Sequence, residues 1–152
     1  MVCINNDIVD KKYYTLPLKF GKLCEKNDIE HCSLKESISQ HLYLIITTAL
    51  GDCLYDETFG CSIWDSDFDN EINDSRLKGQ IKSGLCLSIK NHETRLDDLG
   101  IEITFSQALV GIGENVTSMK KKLDLVVTGT LAQTDEPFVF SGYFFMGPLS
   151  YY

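Results

Sequence analysis

Apolar residues recur at helical spacing in two segments of the chain. In the first segment, Ser33 and Glu36 have the spacing of a capping box, and Gly51 follows the apolar positions as a C-terminal glycine would. In the second segment, which begins near Ser75, the apolar positions lie four residues apart. The pattern predicts two amphipathic helices, one from the Ser33 cap to Gly51 and the other ending near residue 92. The apolar positions are Leu34, Ile38, Leu42, Ile45, Ile46 and Ala49 in the first helix and Leu77, Ile81, Leu85 and Ile89 in the second.

The second predicted helix has two further features on its surface. Gly84 and Ser88 lie on the side of the apolar positions, and their small size would allow another backbone to approach closely. Glu93 falls roughly opposite the middle of the apolar stripe. The spacing therefore predicts that the Glu93 carboxylate points away from the core, towards an external partner.

The period of the pattern changes after Gly100. Ile101, Ile103 and Phe105 alternate with polar residues, which is typical of a half-buried strand. Residues 123–128 and 138–145 predict two more strands, with a hairpin turn over residues 133–136 between the last two. The expected fold is α+β, with two or three helices packed on one face of a small antiparallel sheet.

The N-terminal part carries weaker signals. Residues 14–20 have extended character because Pro17 forbids a helix interior, and Gly21 is expected to end this segment. Residues 22–32 show no regular pattern. No linker or repeat divides the chain, so we expect a single domain over residues 1–152. Within it, residues 1–13 form a flexible arm, residues 14–145 the folded part and residues 146–152 an apolar tail.

Composition narrows the classes of partner. Fourteen basic and twenty-two acidic residues give a net charge of −8, which disfavours nucleic acids and anionic membranes as partners. The longest helix-compatible apolar run, residues 42–50, is too short to span a bilayer. The N-terminus lacks the apolar run of an export signal, so the six cysteines are expected to be reduced and the protein cytoplasmic.

Residue patterns for catalysis or metal binding are missing from the sequence. The spacings of nucleophile elbows, zinc proteases and phosphate-binding loops do not occur, and His31, His41 and His92 lack matching partners. Cys24, His31 and Cys32 provide no fourth zinc ligand, and the acidic residues 65–75 lack the spacing of a calcium loop. We expect no catalytic residue, no metal and no cofactor.

The segment His92-Glu93-Thr94-Arg95-Leu96 joins the second predicted helix to the first predicted strand. Glu93 and Arg95 carry opposite charges two residues apart, at a helix end where backbone carbonyls are free. Taken alone, this pair favours a local surface ion pair or a helix cap, which would add little stability. The alternative is a docking site for another chain, since charge-assisted hydrogen bonds are directional.

The order of these features resembles the sheath-initiator wedge proteins in the baseplates of contractile phage tails and their type VI secretion counterpart, TssE. Members of this family have an extended first segment, a helix ending in glycine, a Phe-Gly loop, a second helix ending in Glu-Pro-Arg, and antiparallel strands. Thr94 stands in place of the family's proline, and the arginine common near the glycine of the first helix is missing. The matching segments are Leu16–Gly21, Ser33–Gly51, Glu57–Gly60 and His92–Leu96.

The resemblance implies a structural baseplate component. Glu93 and Arg95, with His92 beside them, would dock on the wedge subunits, and Phe59, Gly60 and Gly51 would be structural motif residues. The sheet would start the contractile sheath by exchanging strands with sheath subunits. The cysteine- and tyrosine-rich sequence is closer to the secretion branch than to the phage branch.

Two other functions remain open at this point. One is a cytoplasmic adaptor of the same fold that binds a regulatory protein through the surface at the helix end. The other is a peptidoglycan-cleaving enzyme, since such proteins have been called lysozyme-like. Glycoside hydrolysis needs two carboxylates at a defined separation, and no motif singles out such a pair.

Overall fold

A computed structural model describes residues 12–26, 29–64, 74–111 and 117–146. The chain divides into two compact units, Met1–Gln40 and His41–Tyr152. Most of the expected arm and all but the first residue of the expected tail lie outside the described residues, as do most of the acidic residues 65–75. Whether the chain forms a single domain remains a prediction.

The first unit contains a two-residue ladder and a short helix. Strand β1 (Tyr13–Tyr14) pairs antiparallel with β2 (His31–Cys32), and helix α1 (Phe20–Lys26) lies between them in sequence. The expectation of irregular structure after Gly21 is therefore wrong, since Gly21 lies inside α1. The sequence does not predict α1 because seven residues are too few for an amphipathic repeat.

Helix α2 (Leu34–Thr47) begins at the predicted cap. The Glu36 carboxylate accepts hydrogen bonds from the Ser33 backbone N–H at 2.8 Å and from its hydroxyl at 2.9 Å, and the Glu36 N–H donates to Ser33 Oγ at 3.3 Å. Ile38, Leu42, Ile45 and Ile46 are fully buried, which confirms four positions of the predicted apolar stripe. Leu34 is half-buried, and Ala49 lies beyond the end of the helix.

Helix α3 (Asp74–His92) matches the second predicted helix at both ends. Its buried side chains include the four apolar residues of the predicted stripe, each no more than 3% exposed. Ser88 lies on the same face and is also buried. None of the helices in the described ranges is long and apolar enough to cross a membrane.

The second unit is built on an antiparallel sheet of order β3-β4-β5, formed by β3 (Leu96–Gly111), β4 (Thr117–Leu131) and β5 (Pro137–Met146). Ile101 pairs with Val127 and Ile103 with Leu125, and all four side chains are buried on one face. Glu102 and Thr104, which alternate with the two isoleucines, are exposed. The expected α+β fold is confirmed, and within the second unit α3 packs against β3.

Candidate functional site

The junction between α3 and β3 is held at both of its ends. The Glu93 N–H donates to the Ile89 carbonyl at 2.7 Å, which extends the hydrogen bonding of α3 by one residue. The Ala132 N–H donates to the Arg95 carbonyl at 3.0 Å, and Leu96 pairs with Leu131 in the sheet. With Ile89 and Leu96 both buried, the three residues between helix and strand have a fixed path.

The Glu93 carboxylate is buried inside this junction. Arg95 donates to it from Nε at 2.7 Å, from one terminal guanidinium nitrogen at 2.5 Å and from its backbone N–H at 3.1 Å. His41 Nδ1, from α2, lies 2.9 Å from the second carboxylate oxygen. The guanidinium therefore forms a bidentate pair with the two carboxylate oxygens. We call Glu93, Arg95 and His41 the junction cluster.

The expectation that Glu93 points away from the core is wrong, because the residue is only 2% exposed. Glu93 lies one residue beyond the end of α3, where the backbone turns towards β3 and the helical spacing no longer applies. The Arg95 side chain is 24% exposed, and that of His41 is 30% exposed. Of the predicted pair, Arg95 is therefore the member that another chain can reach.

Two opposing effects set the pKa of Glu93. Burial raises the pKa, but the hydrogen bonds from Arg95 and His41 and the positive charge of Arg95 outweigh it and lower the pKa from 4.5 to about 2. The carboxylate is thus ionised at neutral pH. A carboxylate held in this way is an acceptor that fixes its donors in place, and it is unsuited to deliver a proton.

The Phe-Gly loop packs against the junction cluster. The ring of Phe59 stacks on His41 with centroids 6.0 Å apart and meets His92 edge-on at 5.3 Å. His92 Nε2 lies 3.0 Å from the Thr58 carbonyl, so this nitrogen carries the proton and donates it. His92 therefore ties the loop to the end of α3, and its predicted role in partner binding stays a prediction.

Gly60 lies where the loop passes between α2 and α3. Its φ of +114° is left-handed, and a β-carbon would lie 2.6 Å from the Thr48 carbonyl oxygen. On its other side, Ser88 Oγ donates to the Gly60 carbonyl at 2.5 Å. The close approach expected at Ser88 is confirmed, and the approaching backbone is that of Gly60.

Gly51 lies outside this cluster. Helix α2 ends at Thr47, earlier than predicted, and Gly51 occupies a turn after it with φ +86°. The helix ends early because the Thr48 carbonyl accepts the Cys61 N–H at 3.0 Å and Ala49 forms a bridge with Cys61. Gly51 therefore provides the left-handed turn that was expected, but it does not cap the helix directly.

The structure brings together five of the six predicted residues and adds His41. Phe59, Gly60, His92, Glu93 and Arg95 lie in one continuous set of contacts. The sequence assigned no partner to His41. Its position three residues after Ile38 and four before Ile45 predicts that it lies on the side of α2 that carries the apolar stripe.

In the second unit, α3 packs against β3 of the three-stranded antiparallel sheet, and a buried ion pair lies at the junction between them. No group of metal ligands occurs among the described residues.

Residues 32–136 match the family model of the baseplate wedge protein gp25. The match covers more than half of the chain, which therefore belongs to this family of baseplate components of contractile phage tails. The resemblance seen in the sequence is thereby confirmed at the level of the family. No curated protein matches the chain at a significant level.

Among the solved structures that match the chain, one illustrates the shared fold. It is a crystal structure described as a candidate tail lysozyme from Geobacter sulfurreducens, with 19% sequence identity and a TM-score of 0.54. The similarity covers 78% of this chain and 96% of that protein. At this level of identity the similarity concerns the fold alone.

The lowered pKa of Glu93 predicts a pH dependence of stability. Because the folded pKa of about 2 lies below the ordinary 4.5, Glu93 contributes stability that is present above pH 4.5 and is lost as the pH falls towards 2. The contribution is about 3 kcal/mol. Urea unfolding of the native chain and of Glu93→Gln should show a difference that shrinks over this range. Other carboxylates are common to both proteins and cancel, so a difference that did not change with pH would contradict the prediction.

Proposed function

We propose that the chain starts the contractile sheath on a baseplate, docking on wedge subunits at the junction cluster and pairing with a sheath subunit at the edge of its sheet. The observation that carries this proposal is the character of β5. Family membership supports a baseplate role. The junction cluster and β5 supply the residues that would carry out docking and strand pairing.

The outer edge of β5 has the features of a strand that accepts another strand. No residue of Pro137–Met146 is charged, and no strand within the described ranges pairs with this edge. Natural proteins commonly protect free edges with charges, because unpaired backbone groups attract other strands. Val139 and Tyr143 are 65% and 61% exposed, so an incoming strand would also find apolar side chains to pack against.

The opposite edge strand differs in charge. β3 carries exposed acidic residues at Asp97, Asp98 and Glu102, and Asp98 has a left-handed φ of +50° at an irregularity of the ladder. Charge and bulge both discourage pairing at this edge. The proposal therefore assigns strand exchange to β5.

Docking is assigned to the exposed part of the Arg95 guanidinium. The Glu93 carboxylate, which His41 also contacts, holds this side chain in position, so the side chain need not be ordered when a partner binds. An acidic side chain or a carbonyl on the wedge subunit would suit the guanidinium. Glu93 is a positioning residue in this scheme and makes no contact with the partner.

The proposal places assembly in the cytoplasm, on the baseplate of a phage tail or of a type VI secretion system. Cys24, Cys32, Cys53, Cys61 and Cys86 are all free thiols, which suits a reducing compartment.

An enzymatic role is not part of the proposal. A glycosidase needs a carboxylic acid with a raised pKa. The pKa shifts resolved for carboxylates of the described residues all go downwards. The groups are Glu36, Asp56, Glu93 and Asp124.

Strand exchange is tested with single proline substitutions at Ser141 and at Gly142. Successive backbone N–H groups of an edge strand point alternately towards the neighbouring strand and away from it. One substitution therefore removes a hydrogen bond to β4 (the inward variant), and the other removes only an N–H that points away from β4 (the outward variant). The outward variant should fold and bind purified wedge subunits, yet fail to start polymerisation of purified sheath subunits, followed by electron microscopy. The inward variant should be less stable and serves as the matched control.

Two results would contradict the proposal. Normal sheath growth from a folded outward variant would remove β5 from the mechanism. Failure of the native chain to bind wedge and sheath subunits, with capture of a signalling protein in their place, would favour the adaptor.

A further inference from the structure

The segment between Gly51 and Thr58 exposes two adjacent large apolar side chains. Leu54 is 95% exposed and Tyr55 is 98% exposed, more than any other large apolar residue of the described chain. Isolated apolar residues are common on protein surfaces. An almost fully exposed Leu-Tyr pair at the tip of a turn is a different case, because tyrosine is enriched among the residues that contribute most to binding at protein interfaces.

The turn that carries this pair is ordered by its own hydrogen bonds. Thr58 donates to the Asp56 carboxylate from its backbone N–H at 2.9 Å and from its hydroxyl at 2.6 Å. The Asp56 N–H donates to the Cys53 carbonyl at 3.3 Å, and the Phe59 N–H donates to the Asp56 carbonyl at 3.1 Å. These bonds close the turn on both sides of the tip, so its backbone has little conformational entropy left to lose on binding.

The turn is also tied to the junction cluster. His92 Nε2 donates to the Thr58 carbonyl, and Phe59 packs between His92 and His41. His92 directly precedes Glu93 in sequence. The exposed tip and the exposed Arg95 guanidinium therefore belong to one connected part of the second unit.

The charge around the tip selects the kind of partner. Asp52, Asp56 and Glu57 flank the apolar pair and are exposed, and no basic residue occurs between Gly51 and Trp64. Like charges oppose the pairing of two copies through this turn, and they oppose contact with an anionic membrane. A protein surface with an apolar pocket and a basic rim complements it.

We propose that Leu54 and Tyr55 insert into an apolar pocket, rimmed by lysine or arginine, on the wedge subunit that receives Arg95. This inference rests on the proposed docking function. It adds a second contact that buries apolar surface, while Arg95 contributes directional, charge-assisted hydrogen bonds.

The test compares binding to purified wedge subunits from the same genome, measured by titration calorimetry. The double variant Leu54→Ser/Tyr55→Ser should bind about tenfold more weakly or worse, as expected for central interface residues. Leu87→Ser is the matched control, because Leu87 is a 63% exposed apolar residue of α3 outside the turn, and its loss should change affinity by less than about twofold. Glu57→Lys should weaken binding most at low salt, where a basic rim repels it.

The outcomes separate this inference from the function on which it rests. If the native chain does not bind wedge subunits, the docking function and this inference both fail. If the native chain binds and the double variant binds equally well, only this inference fails. The double variant could also keep its wedge affinity but lose self-association or binding to anionic vesicles. That result would overturn this inference and show that the turn binds a second copy of the chain or a membrane. Circular dichroism and urea unfolding establish that each variant is folded.

Discussion

Replacing Arg95 with alanine is expected to lower the free energy of unfolding by about 3 kcal/mol. The substitution leaves the Glu93 carboxylate buried, with His41 as its remaining side-chain partner. Removing one member of a buried ion pair costs more than the pair contributes, because the other charge stays desolvated. The Arg95 side chain is 24% exposed, so the expected cost lies at the low end for such pairs. Urea unfolding at pH 7 measures it.

Arg76→Ala is the matched control for this experiment. Arg76 is exposed in the first turns of α3, and its loss should change stability by about 0.5 kcal/mol or less. A second comparison places Arg95→Ala in a Glu93→Gln background, where no buried charge is left behind and the cost should fall. If Arg95→Ala has no effect on stability, the pair behaves like an ordinary surface ion pair.

This cost changes how docking has to be tested. An Arg95→Ala protein that fails to bind wedge subunits has lost both an exposed donor and the partner of a buried carboxylate. Arg95→Lys keeps the positive charge near Glu93 but loses the bidentate pair with the two carboxylate oxygens. It is the better variant for separating recognition from folding.

Gly60→Ala should destabilise the protein by about 3 to 5 kcal/mol. Two effects add at this position. A left-handed φ of +114° is unfavourable for alanine, and its β-carbon would lie 2.6 Å from the Thr48 carbonyl oxygen and 2.8 Å from that of Ala49. Both obstacles are backbone atoms of the segment that ends α2, so they cannot rotate away.

Gly51→Ala separates the two effects. Gly51 also has a left-handed φ, at +86°, but a β-carbon there would meet nothing within 4 Å. Its replacement should cost only the conformational part, about 1 kcal/mol. Equal costs at the two glycines, measured by the same urea unfolding, would show that close packing at Gly60 contributes nothing.

The regular elements of this fold follow from periodicity in the sequence. The four-residue spacing from Leu77 to Ile89 predicted α3, and the alternation at Ile101 and Ile103 predicted β3. These patterns are reliable because each element buries a whole face, so many residues carry the same signal.

The errors occur where one tertiary contact overrides the local pattern. Glu93 follows the helix that was used to predict its direction, and the turn into β3 brings it to Arg95 and His41. Helix α2 ends before Gly51 because the Cys61 segment takes up the Thr48 carbonyl. The partnership of His41 with Glu93 spans 52 residues, and no local rule connects them.

An edge strand without charges has little selectivity of its own. Main-chain hydrogen bonds are the same for every partner, so β5 would accept a strand from a second copy of the chain as readily as one from a sheath subunit. Selection must then come from location: a copy held at its junction cluster on a baseplate meets sheath subunits, whereas free copies at high concentration meet one another. Under the proposed function, the uncharged edge would favour anchoring the chain before the sheath arrives, and the order of assembly would follow from the fold.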